Sequence, residues 1–527
     1  MKIQNLKIDE KTFFFIALAI TLFVRIRLCD IAMERDEGEY AYAGWQILRG
    51  ALPYADFYNM KFPGVYYFYA LIFKLFGTHI IAVRLSVMAL NLSSGFFVYA
   101  LGKKWLGQQG AWLASGIFLL LSVAYHGQGF ISNCEHFVVF FYLLGLWLLS
   151  QKSIFSAGLC LGIACLMKQH AAILALFAGF MLVNDYFKTK NVKILIAQFL
   201  SLGIGFLLPL IGLLFFILQK NIFSQFYYFT FEYAAAYSKL NTFNLGDFTY
   251  SYAYICFDNI GFWLIFWVTV YHIFKNRKLD LEMGIAEKGS SMKGNFILLF
   301  WLISFISICP GWYFRAHYYQ FIFPASALVM AYGLSVLKIE GRIKNFKFNL
   351  SNVLIMSLLC TFIVQSGYFF FQKPSDVSRY MYRYDYFSEI KDFSKKLGEI
   401  SKPDDKIGVL STDPQIFFYA QRQQATGFLY LYPLLENQKF ASEMTEKLIA
   451  ETEANKPEWL ISFYIPREGN NPITTKRVIT WFDKYAQNYS LKAVMYSKKK
   501  YFAETEWDNP SIDTSRKNIL YLYQRRD

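Results

Sequence analysis

The chain has 527 residues, 55% of them hydrophobic, 20% aromatic and only 17% charged. Soluble domains carry about 25% charged residues, so this composition excludes an ordinary globular protein over most of the length. The net charge of +15 points toward nucleic acid, but its placement along the chain gives it another origin.

Apolar runs alternate with short polar breaks up to residue 371. The runs 13–28, 80–101, 194–218, 257–274, 295–309, 319–337 and 350–371 approach or reach the ~20 residues that cross ~30 Å of hydrocarbon. Four further short helices are expected between 111 and 186, for a total of about eleven transmembrane helices. The first run reads as a retained span, because no small-residue cleavage site follows it and Arg25 and Arg27 interrupt its end. With Lys2, Lys7 and Lys11 cytoplasmic, the even-numbered turns hold Lys103/Lys104, Lys152, Lys188/Lys190/Lys193, Lys275/Arg277/Lys278 with Lys288 and Lys293, and Lys338/Arg342/Lys344/Lys347. All fall on one side, the positive-inside pattern. The basic excess is therefore topology, and no nucleic-acid partner is expected. Asp36, His126, Arg315 and the C-terminal part then lie outside the cytoplasm.

The loop 35–79 follows the first span and opens Glu34-Arg35-Asp36-Glu37-Gly38-Glu39-Tyr40. Charge at a membrane face is costly unless hydrated, paired or functional. A helix starting at Glu37 would make Asp36 its N-cap and Glu39 its N3 residue, a capping-box geometry; one cap accounts for one acid, not four. The helix is expected to stop at Gly50, and Pro63 fits the first turn of a second helix, Gly64–Phe76, closed by Gly77. Asp36, Glu37, Asp56 and Lys61 fall in or beside the connections. Carboxylates near a lysine suit sugar hydroxyls and a phosphate, and one can accept a proton from an acceptor hydroxyl.

Other outer-side residues have two readings each. Glu135 is either a helix N-terminal charge or a second acid. Lys168, interrupting an apolar stretch, either snorkels or binds phosphate. Arg315 and His317 either anchor an interface or bind phosphate and sugar. The aromatic loop 220–256 reads as a surface-lying amphipathic segment or an aromatic belt. The seven cysteines, all in or beside apolar segments, form no disulfide framework and no metal-ligand spacing.

Beyond residue 371 strand-like runs (407–411, 459–464, 491–496, 520–524) alternate with helix-like ones (415–420, 440–454, 475–487). The fold class expected is mainly α: a polytopic membrane domain over 1–371, with juxtamembrane helices in 35–79, and an extracytoplasmic α/β domain over 372–527.

The pattern Asp36-Glu37-x-x-Tyr40, Pro53-Tyr54-x-Asp56 and Lys61-x-Pro63-Gly64, with an aromatic helix ending Phe76-Gly77, resembles bacterial members of glycosyltransferase family 39 in the GT-C superfamily. Protein O-mannosyltransferases and lipid A aminoarabinose transferases are relatives. The resemblance implies transfer of a sugar from a polyprenyl-phosphate donor to a lipid, glycan or protein acceptor outside the cytoplasm, usually with inversion. It implies Asp36 as the catalytic or acceptor-binding acid and Glu37 as its partner, with Tyr40, Asp56, Lys61, Glu135, Lys168, Arg315 and His317 as substrate-binding residues. Phe62 stands where the aminoarabinose group usually has the first of two prolines after the lysine, which puts the role of Lys61 in doubt. No metal is required; Asp36 and Glu135 are the acids that would hold a divalent cation if one took part. The localisation implied is a bacterial inner membrane. The rival reading is a transporter or flippase of a lipid-linked substrate, against which stands the lack of paired broken helices.

Overall fold

The computed structural model describes residues 9–257, 259–283, 290–336, 340–343, 346–463, 470–508, 510, 512–513 and 515–526. Lys2, Lys7, Lys288, Lys338 and Lys344 of the basic turns, and Tyr464 at the end of an expected strand, lie outside the described residues. Two compact units are present: Met1–Cys29, Arg84–Phe215 and Phe243–Gln372 form one, and Asp30–Val83, Phe216–Thr242 and Lys373–Asp527 the other. The sequence division at 371 groups the loop 35–79 with the membrane helices, whereas the compact units group it with the C-terminal segment.

The first unit is mainly helical, with one two-stranded antiparallel sheet that pairs Glu340–Ile343 with Phe346–Asn349. Its first helix, Glu10–Arg27, is capped by Asp9, whose carboxylate accepts Thr12 N at 2.7 Å. The 42-residue run Ile80–Leu121 turns at Gly107, where φ is +83°, a conformation glycine adopts without a Cβ penalty. Helices Ile154–Met167 and Val192–Gln219 approach closely enough that a Cβ on Gly158 or Gly162 would lie 2.2 or 2.3 Å from a carbonyl oxygen of the facing helix. This is the small-xxx-small contact by which apolar helices pack where water supplies no driving force. Among the described residues, Ile80–Leu121, Ala171–Thr189 and Val192–Gln219 are long and apolar enough to cross a membrane, three helices, or four if the bent pair Leu245–Phe257 and Ile260–Lys275 is one span. Cys134–Ser150, Ile154–Met167, Gly294–Ile306 and Phe323–Val336 are apolar but shorter. Three or four such helices among the described residues do not establish the expected eleven spans.

The second unit contains a six-stranded sheet in the order Gln423–Gln424, Lys406–Leu410, Trp459–Phe463, Asn518–Arg525, Tyr489–Lys499, Phe502–Trp507. The first three strands are parallel and the remainder antiparallel. Parallel pairing needs a crossover, supplied between Lys406–Leu410 and Trp459–Phe463 by a connection that includes helices Gln415–Ala420 and Ala441–Asn455. Ile407, Leu460, Ile461, Ala493, Val494, Leu520 and Leu522 are fully or almost fully buried and form its core. Against this domain lies the first loop, as helices Arg35–Leu48 and Gly64–Phe76. Backbone bonding continues between the two parts: Tyr58 N donates to Gly427 O at 2.7 Å, and Gln424 N donates to the Tyr42 hydroxyl at 2.9 Å. The aromatic loop supplies three consecutive short helices, Phe223–Tyr227, Tyr228–Tyr233 and Ala234–Ser238, to the same unit.

Candidate active site

The acids after the first span take distinct places. The helix begins at Arg35, not Glu37, and its cap is Glu34, not Asp36. Glu34 Oε2 accepts Asp36 N and Glu34 Oε1 accepts Glu37 N, each at 3.0 Å. Capping is thus served by an acid two residues earlier, and the expected capping box does not form. Burial, with Asp36 adding to it, pushes the Glu34 carboxyl up to about 8.

With Glu34 in the cap, Asp36, Glu39 and Tyr40 share one helix face by their spacing of three and four, and that face meets Lys61. The ammonium lies 3.0 Å from Asp36 Oδ1 and 2.7 Å from Glu39 Oε2, and 4.6 Å from the centroid of the Tyr40 ring. Glu39 is fully buried and also accepts the hydroxyls of Tyr66 and Tyr430, the latter at 2.6 Å. Tyr430 stands 3.3 Å from Asp36 Oδ1 as well. Burial raises the Glu39 carboxyl; Lys61 opposes that rise and Asp36 adds to it. Burial and then Glu39 hold the Tyr66 hydroxyl well above its ordinary range, and burial and then Glu39 do the same for Tyr430, so both act as neutral donors. Asp36 differs from Glu39 in access: its side chain is 27% exposed and that of Glu39 0%. Glu37 is buried.

Lys61 is held from behind. Its carbonyl accepts the Tyr54 hydroxyl at 2.8 Å and its N–H donates to Asn59 Oδ1 at 3.1 Å. Phe62 stacks on Phe226 with ring centroids 5.9 Å apart. Asp56 serves the connecting turn, its Oδ2 accepting Leu52 N at 2.7 Å.

The C-terminal residues Asp413, Gln415 and Tyr419 anchor this loop. Arg35 reaches Asp385 at 2.8 Å and Asp413 at 3.6 Å, and Met33 N donates to the Tyr419 hydroxyl at 2.9 Å. Burial would depress the Arg35 guanidinium, but Asp413 and Asp385 outweigh it and raise its pKa, keeping it charged.

A second polar cluster lies in the helical unit. Glu135 stands in the first turn of Cys134–Ser150, fully buried, and accepts from the Lys168 ammonium. Helix Ile154–Met167 ends immediately before Lys168, whose backbone is extended. His317 Nε2 lies 3.9 Å from the same Glu135 oxygen, and the Lys168 ammonium sits 3.8 Å from the Tyr318 ring centroid. Arg25, buried, donates to Ser122 O and Gly129 O at 3.1 and 3.0 Å and braces the stretch that leads into Glu135. Arg315 is exposed, its guanidinium 5.3 Å from the Tyr313 ring centroid.

The structure therefore joins Asp36, Tyr40 and Lys61 in one cluster, and Glu135, Lys168 and His317 in another. Sequence reasoning missed Tyr66 and Tyr430, and it left Glu39, for which a capping role was one reading, out of the candidate site. Nothing local marks Tyr430, which is 391 residues from the carboxylate it meets. Among the described residues, no group of three or more His, Cys, Asp or Glu is placed to hold a metal ion.

A family model described as dolichyl-phosphate-mannose-protein mannosyltransferase matches residues 61–217. Comparison with curated proteins finds no match. Among solved structures, ArnT from Cupriavidus metallidurans bound to undecaprenyl phosphate is similar with a TM-score of 0.59 at 13% identity, covering 96% of this chain and 97% of that one. The apo state of the same protein gives 0.56 at 12% identity, with 97% of both chains covered. The oligosaccharyltransferase AglB from Archaeoglobus fulgidus, in complex with an inhibitory peptide and a dolichol-phosphate, gives 0.50 at 11% identity, covering 97% of this chain and 75% of that one. At such identity the likeness is one of fold, and together with the family match it gives this chain the fold of the GT-C glycosyltransferase superfamily.

Proposed function

We propose that this protein is a membrane glycosyltransferase that moves a sugar from a polyprenyl-phosphate donor to a hydroxyl of a lipid, glycan or protein acceptor. The observation that carries the proposal is the asymmetry of the first cluster: one accessible carboxylate, Asp36, held beside Lys61 and a buried, tyrosine-bonded Glu39. Asp36 accepts the proton of the acceptor hydroxyl as the oxygen attacks the anomeric carbon, a single displacement with inversion. Lys61 pairs with Asp36 and orients it, while Glu39, itself bonded by Tyr66 and Tyr430, fixes Lys61. Lys168, His317 and Arg315 are assigned to the donor phosphate. An ammonium has three N–H donors, and cationic contacts that neutralise charge growing on the leaving phosphate stabilise the transition state. The lipid phosphates bound to ArnT and AglB support this donor class. The one-sided basic turns support an extracytoplasmic site.

The test is sugar transfer by the purified full chain in nanodiscs, supplied with a panel of polyprenyl-phosphate sugars and envelope acceptors. Asp36→Asn is expected to lower the transfer rate by about 10²–10⁴-fold with its thermal unfolding unchanged. Full activity in Asp36→Asn would remove that residue from the reaction. Movement of donor across the bilayer without sugar transfer would replace the proposal with a flippase.

A further inference from the structure

The C-terminal domain carries a groove with no part in the clusters above. It has a volume of about 450 Å³, and its lining includes Tyr384, Tyr386 and Tyr521, the apolar Phe463, Ile512 and Ile519, and the polar Arg516, Lys517 and Asn518. A space of this size matches pockets that hold small organic ligands, roughly 300–1,000 Å³. Its rim continues onto the tip of the hairpin formed by Tyr489–Lys499 and Phe502–Trp507. Tyr501 there meets the rings of Tyr384 and Tyr380 at 5.2 and 6.0 Å.

The cations around the groove fall into two kinds. Arg516 is neutralised by Glu506 at 2.6 Å and Asp513 at 3.1 Å. Lys499, Lys500 and Lys517 are exposed and, among the described residues, face rings rather than acids: Phe502 at 4.4 Å, Tyr501 at 5.1 Å and Tyr384 at 5.3 Å. Uncompensated ammonium groups attract an anion, and flat tyrosine faces accept the C–H face of a sugar ring while their hydroxyls hydrogen-bond its edge. A lipid surface would instead meet a protruding apolar face, whereas this site is concave, with three tyrosines and polar residues among its lining. The groove wall is also tied to the catalytic loop: Asp385, between Tyr384 and Tyr386, holds Arg35, the neighbour of Asp36.

We propose that this groove binds an anionic saccharide, one whose sugars carry carboxylate or phosphate groups. The binding is separate from transfer and is measured without it. The full chain in nanodiscs of uncharged lipid is titrated with trigalacturonate and with maltotriose, its uncharged counterpart. Saturable, salt-sensitive binding of trigalacturonate and at least tenfold weaker binding of maltotriose are expected. Lys517→Glu should weaken trigalacturonate binding about tenfold, and Tyr384→Ala about three- to tenfold; both sites are exposed, and unchanged unfolding temperatures exclude a folding defect. The idea is overturned if trigalacturonate does not saturate, if both variants bind like the parent chain, if inorganic phosphate alone competes as well as trigalacturonate, or if only phosphatidylglycerol vesicles bind.

Discussion

Glu34 places both carboxylate oxygens on backbone N–H groups inside a buried turn, and this gives the protein a titration of its own. Its folded value of about 8 lies above the ordinary 4.5 because burial, and then the Asp36 charge, disfavour the ionised form. Below 4.5 both states hold the proton. Between 4.5 and about 8 the folded state retains a proton that the unfolded chain has lost, so stability falls as pH rises through that window. The unfolding temperature of the detergent-solubilised protein is therefore expected to drop from pH 5 to pH 9, and Glu34→Gln to flatten that drop. Equal slopes in the two proteins would refute the assignment. At this scale Asp36, Glu37 and Lys61 were legible as a charged group, because four acids within six residues after an apolar run are conspicuous. Which acid caps and which binds lysine was not, since a two-residue change in helix start exchanges those parts.

Helix Arg35–Leu48 can hold Asp36 in place only because it lies directly on helix Gln415–Ala420. A Cβ on Gly38 would stand 2.5 Å from Gln415 Cβ and 2.8 Å from its Cα. Gly38→Ala must push the two helices apart, and overpacking of this kind costs about 1–3 kcal/mol. A lowered unfolding temperature and reduced transfer are expected together; an unchanged pair of values would show that the contact is dispensable. The elements of the C-terminal sheet were largely readable: the runs 407–411, 491–496 and 520–524 correspond to Lys406–Leu410, Tyr489–Lys499 and Asn518–Arg525. Strand Phe502–Trp507 was not, because it forms the sheet edge and carries Glu504 and Glu506 instead of an apolar run. Helix Phe387–Ile400 was passed over although Phe387, Ile390, Phe393 and Leu397, all buried, repeat at helical spacing.

Across the whole molecule, the candidate residues meet in ionic pairs that the chain assembles from distant segments. Glu135 and Lys168 are 33 residues apart, the first fully buried and the second 14% exposed. Removing one partner strands a buried charge, at a cost of about 3–5 kcal/mol, whereas removing both is far milder. Lys168→Met is expected to unfold at markedly lower temperature, and Lys168→Met combined with Glu135→Gln to regain most of that loss without regaining transfer. Recovery of activity in the double variant would make the pair architectural. The sequence by itself determined the apolar runs, the basic turns between them, the acidic loop with its two short helices and the alternating strands of the C-terminal part. Each of these is written in the local period or composition of its own segment, which reports how that segment is solvated. Only the tertiary structure decided that the loop 35–79 packs with the C-terminal domain, that Glu39 is bound by Lys61, Tyr66 and Tyr430, and that Asp413 steadies Arg35. Those contacts join faces of separate elements, and the choice of face is made by packing and burial across the fold, which no local period records.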